Sequence, residues 1–221
     1  MRRVTAIVRF PLAAIVLGAV LCAPALASGR GEFKAGYAAM LRRDYGRAIT
    51  HFTGAIESGE LRPRDLALAY HYRGAELLKA GRDDEAIADL DRAIGLEPRR
   101  LPTAYSDRGI AYRKKGAYEK AIADYSEAIR LWPHWHDWYL NRGLAYAANR
   151  QYEEAIADYG KALYYKPDLA TAFLARGDVY SQAGRKAEAL ADYRRAIGKR
   201  ADILEDYPDL AAKMAELAAA P

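Results

Sequence analysis

The sequence predicts an all-α chain of five antiparallel helix hairpins in a row, closed by a short C-terminal capping helix. Three observations carry that prediction. Gly36, Gly74, Gly109, Gly143 and Gly177 stand 38, 35, 34 and 34 residues apart. Twelve residues after each comes an alanine (Ala48, Ala86, Ala121, Ala155, Ala189), and sixteen after comes a large apolar residue (Phe52, Leu90, Tyr125, Tyr159, Tyr193). Pro98, Pro133 and Pro167 then fall where a second helix should stop, because proline cannot continue the intrahelical ladder.

Taken in chain order, residues 1–27 read as a leader. Arg2, Arg3 and Arg9 precede an apolar run from Leu12 to Ala23, and Ala25-Leu26-Ala27 offers a small-x-small signal-peptidase site, with cleavage expected between Ala27 and Ser28. Twelve apolar residues fall short of the roughly 20 that span a bilayer, although a retained anchor is the alternative to cleavage. Cys22 lacks the small residue that a lipidated cysteine normally has immediately before it.

Placing position one of each unit at Gly29, Ala67, Pro102, His136 and Ala170 brings the copies into register as residues 29–62, 67–100, 102–135, 136–169 and 170–203. Position 8 is always glycine, and position 27 is Ala55, Ala93, Ala128, Ala162 and Ala196. Small residues at 8, 20 and 27 let two helices approach closely, and tyrosines at positions 11 and 24 are expected to fill the space between hairpins. Helices of about 14 residues are marginal alone, so their helicity has to come from packing. Residues 204–221 close the chain. Leu210, Met214 and Leu217 at helical spacing predict a capping helix there, with an alanine-rich tail from Ala218.

Period, small residues and terminal proline together resemble the tetratricopeptide repeat, a helix–turn–helix unit of 34 residues. The resemblance covers Gly29 to about Ile203. It departs in the first copy, with Glu60 at the proline position and Ala39 at the aromatic one, and in the last, with Ala201 for proline. It implies a right-handed superhelical solenoid whose first helices line a concave groove that holds a protein or peptide partner. Family groove positions 2, 5, 9, 12 and 13 fall here on Phe33, Tyr37, Met40, His71, Leu78, Lys79, Ser106, Ile110, Arg113, Lys114, Leu140, Leu144, Leu174 and Asp178, among others. That surface is apolar with a basic spot at Arg113 and Lys114, suited to a peptide with apolar anchors and an acidic residue. Family members that clamp the acidic tails of chaperones use lysine at position 5 and asparagine at position 9, and no copy here has them.

A second regularity is specific to this chain. Position 7 is Arg73, Arg108, Arg142 and Arg176, and position 23 is Asp89, Asp124, Asp158 and Asp192; the first copy has Ala35 and His51 instead. Partners present together and absent together are expected to touch. In an antiparallel hairpin they lie about two residues apart along the axis, roughly 3 Å. An arginine–aspartate ladder fixing hairpin register is the structural reading, and an arginine row gripping an acidic ligand is the functional one.

The segment 131–139 holds all three tryptophans and joins the third and fourth units. Trp138 and Tyr139 are expected to pack on the preceding hairpin. Trp132 and Trp135 either shield that joint or form an interaction loop.

Composition restricts function further. The chain has 34 Lys+Arg against 29 Asp+Glu, and the leader holds three of those arginines and no acid, leaving 31 against 29 beyond residue 27. So small an excess gives no reason to expect nucleic acid as a partner. The single cysteine lies in the leader, so the exported part forms no disulfide. No phosphate loop, nucleophile elbow or convergent polar constellation occurs, so neither catalysis nor a cofactor or metal is expected. The resulting expectation is a periplasmic or secreted scaffold that binds a polypeptide, with a structural subunit of an envelope or secretion assembly as the second reading.

Overall fold

The computed structural model describes residues 28–219. The expected leader, its cleavage site and Cys22 lie outside these residues, as do Ala220 and Pro221. Ten helices form five hairpins in chain order: α1 Gly29–Leu41 with α2 Tyr45–Glu57, α3 Pro63–Lys79 with α4 Asp83–Leu96, and α5 Pro102–Lys114 with α6 Tyr118–Leu131. Next come α7 His136–Ala148 with α8 Tyr152–Tyr165 and α9 Ala170–Gln182 with α10 Lys186–Lys199. A single turn, α11 Ile203–Asp206, and a last helix, α12 Leu210–Ala219, complete the chain. Each helix packs on its hairpin partner, and each second helix packs on the first helix of the next unit. Successive first helices also approach one another, which places them on the inner side of the stack.

Glycine decides how close the two helices of a hairpin come. A Cβ added at Gly143 or Gly177 would stand 2.7 Å from the ring of Tyr159 or Tyr193, and at Gly109 2.9 Å from Tyr125. Position 24 therefore lies within its own hairpin, pressed on the glycine of position 8 and almost wholly buried, rather than only between hairpins. The turn between the helices bends at a left-handed residue, Gly81 (φ 74°), Gly116 (φ 75°) and Gly184 (φ 72°) in three units and Arg43 and Arg150 in the other two.

The 38-residue interval between Gly36 and Gly74 is absorbed without a loop. α3 is 17 residues long where the other first helices have 13, so the four extra residues form one more turn at its start, opened by Pro63. At the far end Leu210 is buried against the fifth hairpin, with Met214 and Leu217 packed beside it, so α12 covers the last apolar face as its spacing predicts.

Candidate concave interaction site

The arginine row is spent on the fold. Arg73, Arg108, Arg142 and Arg176 each donate from Nε and Nη2 to both carboxylate oxygens of Asp89, Asp124, Asp158 and Asp192, over 2.6–3.0 Å. The aspartates are buried. Three of the arginines use Nη1 as well, reaching back to the second helix of the preceding hairpin: Arg73 to Thr53 at 3.0 Å, Arg108 to Asp91 at 2.5 Å and Arg142 to Ser126 at 2.9 Å. Each fork thus joins the two helices of its own hairpin, and three of the four also stitch it to the hairpin before. Aromatic rings four residues on, at Tyr112, Tyr146 and Tyr180, lie 5.7–5.9 Å from the guanidinium carbons of Arg108, Arg142 and Arg176. Burial disfavours the charge on Arg108, but the side-chain bonds and charge of Asp124 and Asp91 outweigh that cost and hold the guanidinium charged well beyond its ordinary range. In the first hairpin, where both partners change, His51 Nδ1 meets Glu32 at 2.7 Å instead.

The expected groove residues divide into three groups. His71, Leu78, Ser106 and Leu174 are buried, Leu174 still lining the cleft described below. His71 bonds Asp107 of the next hairpin at 2.9 Å. A second group is charged but engaged: Lys79 with the buried Glu76 at 2.5 Å, Lys114 with the Leu78 carbonyl at 3.1 Å and Asp83 at 3.3 Å, and Asp178 with Lys213 of α12 and the Tyr193 hydroxyl. The rest, Phe33, Tyr37, Met40, Ile110, Arg113, Leu140 and Leu144, keep part of their surface open. Phe33 and Tyr37 join an aromatic cluster with Tyr72 at 6.1 and 5.8 Å.

Leu140, Leu144 and Ala147 on α7 face Ala175 and Val179 on α9 across a cleft of about 480 Å³. Tyr159 lies at its base, Thr171 and Gln182 supply polar atoms at its rim, and Tyr207 of the C-terminal turn stands at its mouth. Tyr207 is absent from the expected groove lining because it belongs to no repeat position.

Trp138 and Tyr139 are buried at the joint of the third and fourth units, and the Tyr139 hydroxyl donates to the Pro133 carbonyl at 2.9 Å. Trp132 and Trp135 stack on them at 6.0 and 6.3 Å from Trp138 yet remain about half exposed. Among the described residues no three His, Cys, Asp or Glu side chains converge as a metal ion requires. None of the described helices is long and apolar enough to cross a membrane.

This register of glycines, paired helices and inner groove coincides with family models in two places, the tetratricopeptide repeat over residues 102–134 and a TPR repeat over residues 148–184. The chain is a tetratricopeptide-repeat protein. Solved tetratricopeptide folds superpose on most of it. MamA does so with a TM-score of 0.69 at 22% identity, over 80% of this chain and 94% of that one. YrrB, described as a TPR protein with an unusual peptide-binding site, matches with a TM-score of 0.67 at 18% identity over 80% and 88% of the two chains. TTC0263, a thermophilic TPR protein of Thermus thermophilus, gives 0.61 at 25% identity over 86% and 98%. No curated protein sequence matches the chain. The architecture is accordingly the right-handed superhelical tetratricopeptide solenoid, with α12 as its cap.

Proposed function

We propose that this tetratricopeptide protein is a non-enzymatic scaffold of the bacterial cell envelope that holds a peptide or protein segment in its concave groove. The cleft between α7 and α9 carries the reading: it is lined by aliphatic side chains, is open to solvent, and fits the small-pocket, apolar-anchor mode of peptide recognition. Arg113, partly exposed on α5, is the basic spot expected beside the groove, whereas the one charged residue in the cleft's own lining is the acidic Asp178, so the apolar anchor is what this surface selects. The arginine ladder serves as support, because the Nε and Nη2 donors of all four arginines are held by the aspartates.

Export is supported by the leader pattern of residues 1–27 and by Ser28, whose Oγ accepts from the Gly31 amide at 3.2 Å and caps α1. Cleavage after Ala27 leaves that cap and the whole first hairpin in place. Mass measurement of the protein recovered from cells is expected to show loss of residues 1–27; an intact leader overturns this part of the reading. The groove is tested by crosslinking in the native envelope. Leu144→Glu with Arg113→Glu is expected to abolish the captured adducts while leaving thermal unfolding cooperative, and unchanged adducts refute groove binding.

The half-exposed Trp132 and Trp135 favour a second reading, a structural subunit that docks through its edge. Loss of adducts on Trp135→Ala alone, with the groove variant silent, selects it.

A further inference from the structure

The C-terminal segment that caps the stack on α10 also reaches across to groove positions of α9. Tyr207, Leu210 and Lys213 follow one another at intervals of three residues, and all three face the same crevice on α9, formed with Leu174 and Asp178. Leu210 is buried, the Lys213 ammonium contacts the Asp178 carboxylate, and it lies 5.4 Å from the centre of the Tyr193 ring. Leu174 and Asp178 occupy the same two positions of the fifth first helix that line the groove as Leu140 and Leu144 in the fourth.

The seat is incompletely closed. A crevice of about 240 Å³ remains between α9 and the 206–210 turn, Tyr207 is 46% exposed, and the Lys213–Asp178 pair is close to half exposed, so screening leaves it little strength. The link from α10 to α12 runs over residues 200–209 and holds one four-residue helical turn, α11, in which Ile203 alone is buried.

We propose that this seat is a peptide-binding site for a short segment in which an aromatic residue in a turn is followed, three and six residues on, by a leucine and a basic residue in an amphipathic helix, and that the C-terminal segment is its tethered competitor. The proposal rests on the groove reading and names the partner for its last unit. A helix presenting anchors at such spacing is a recognised mode of groove recognition. A tethered copy acts at an effective concentration on the order of millimolar, so a free segment enters only by outcompeting it or after it is released.

The probe is a synthetic peptide of residues 203–217, labelled for fluorescence anisotropy. It is titrated onto the full chain and onto the full chain carrying Tyr207→Ala, Leu210→Ala and Lys213→Ala. The triple variant is expected to bind the probe at least tenfold more tightly than the unaltered chain, and a probe carrying glutamate at the position of the buried Leu210 is expected not to bind. Equal affinities for the two chains overturn the proposal. Should the variant unfold, hydrogen exchange of the unaltered chain decides: α12 amides exchanging at least tenfold faster than those of α10 support a releasable segment, and equal protection overturns it. Arg113→Glu lies away from this seat and is expected to leave probe binding unchanged. Failure of the groove reading and failure of this proposal therefore give different results.

Discussion

Arg108 and Asp124 show what one pair of residues contributes. The aspartate is buried, so Asp124→Ala leaves a largely buried guanidinium without its fork and is expected to cost about 2–4 kcal/mol, read as a lower urea midpoint. Partner capture by the folded fraction is expected to persist; an unchanged midpoint with lost capture would return the arginine row to the binding surface. Gly143→Ala tests the helix approach. Its Cβ meets the Tyr159 ring at 2.7 Å, and overpacking of that kind costs about 1–3 kcal/mol. The tyrosines of position 24 also confer a pH dependence. Burial pushes Tyr125 and Tyr193 up to about 12 and raises Tyr159 as well. Unfolded tyrosine ionises near 10, so their stabilisation is complete below that value and is lost as pH climbs from 10 toward 12. Melting temperature measured from about pH 8 to 11, a range that brackets the unfolded value, is expected to fall more steeply for the unaltered protein than for the triple Tyr→Phe variant, and parallel curves refute the account. The fork was legible because arginine and aspartate disappear together in the first copy. The Nη1 contacts were not, because that position changes between a hydroxyl, in Thr53 and Ser126, a carboxylate, in Asp91, and glycine.

Between elements, the fifth hairpin lacks one stitch. Gly160 occupies the position of Thr53, Asp91 and Ser126, and a Cβ there would lie 3.9 Å from Nη1 of Arg176 with nothing closer. Gly160→Ser supplies an acceptor and removes a glycine from the middle of α8, and is expected to stabilise by about 1 kcal/mol. A melting temperature at or below that of the unaltered chain contradicts the stitching role. Helix pairing, the cap and the hairpin count were readable from spacing alone, because glycine and alanine mark every close approach. The groove was only partly readable. A family position says which way a side chain starts out, but whether it stays open depends on the next hairpin, as with His71 reaching Asp107, or on the tail, as with Asp178 held by Lys213.

As a whole the molecule is a one-dimensional stack, so its stability is roughly a sum of unit and neighbour terms and its ends are its weakest parts. The first hairpin has a neighbour on one side only and replaces the guanidinium fork with the Glu32–His51 contact. Its amides in α1 and α2 are therefore expected to exchange faster than those of α5 to α8, and protection equal to the middle units would show that the Phe33, Phe52 and Tyr72 cluster compensates fully. Near-identical units pose a problem for anything lying along them, since one lateral placement resembles the next. The added turn of α3 lengthens that helix by about 6 Å relative to its neighbours, which gives the row a single landmark from which a long ligand can take its alignment.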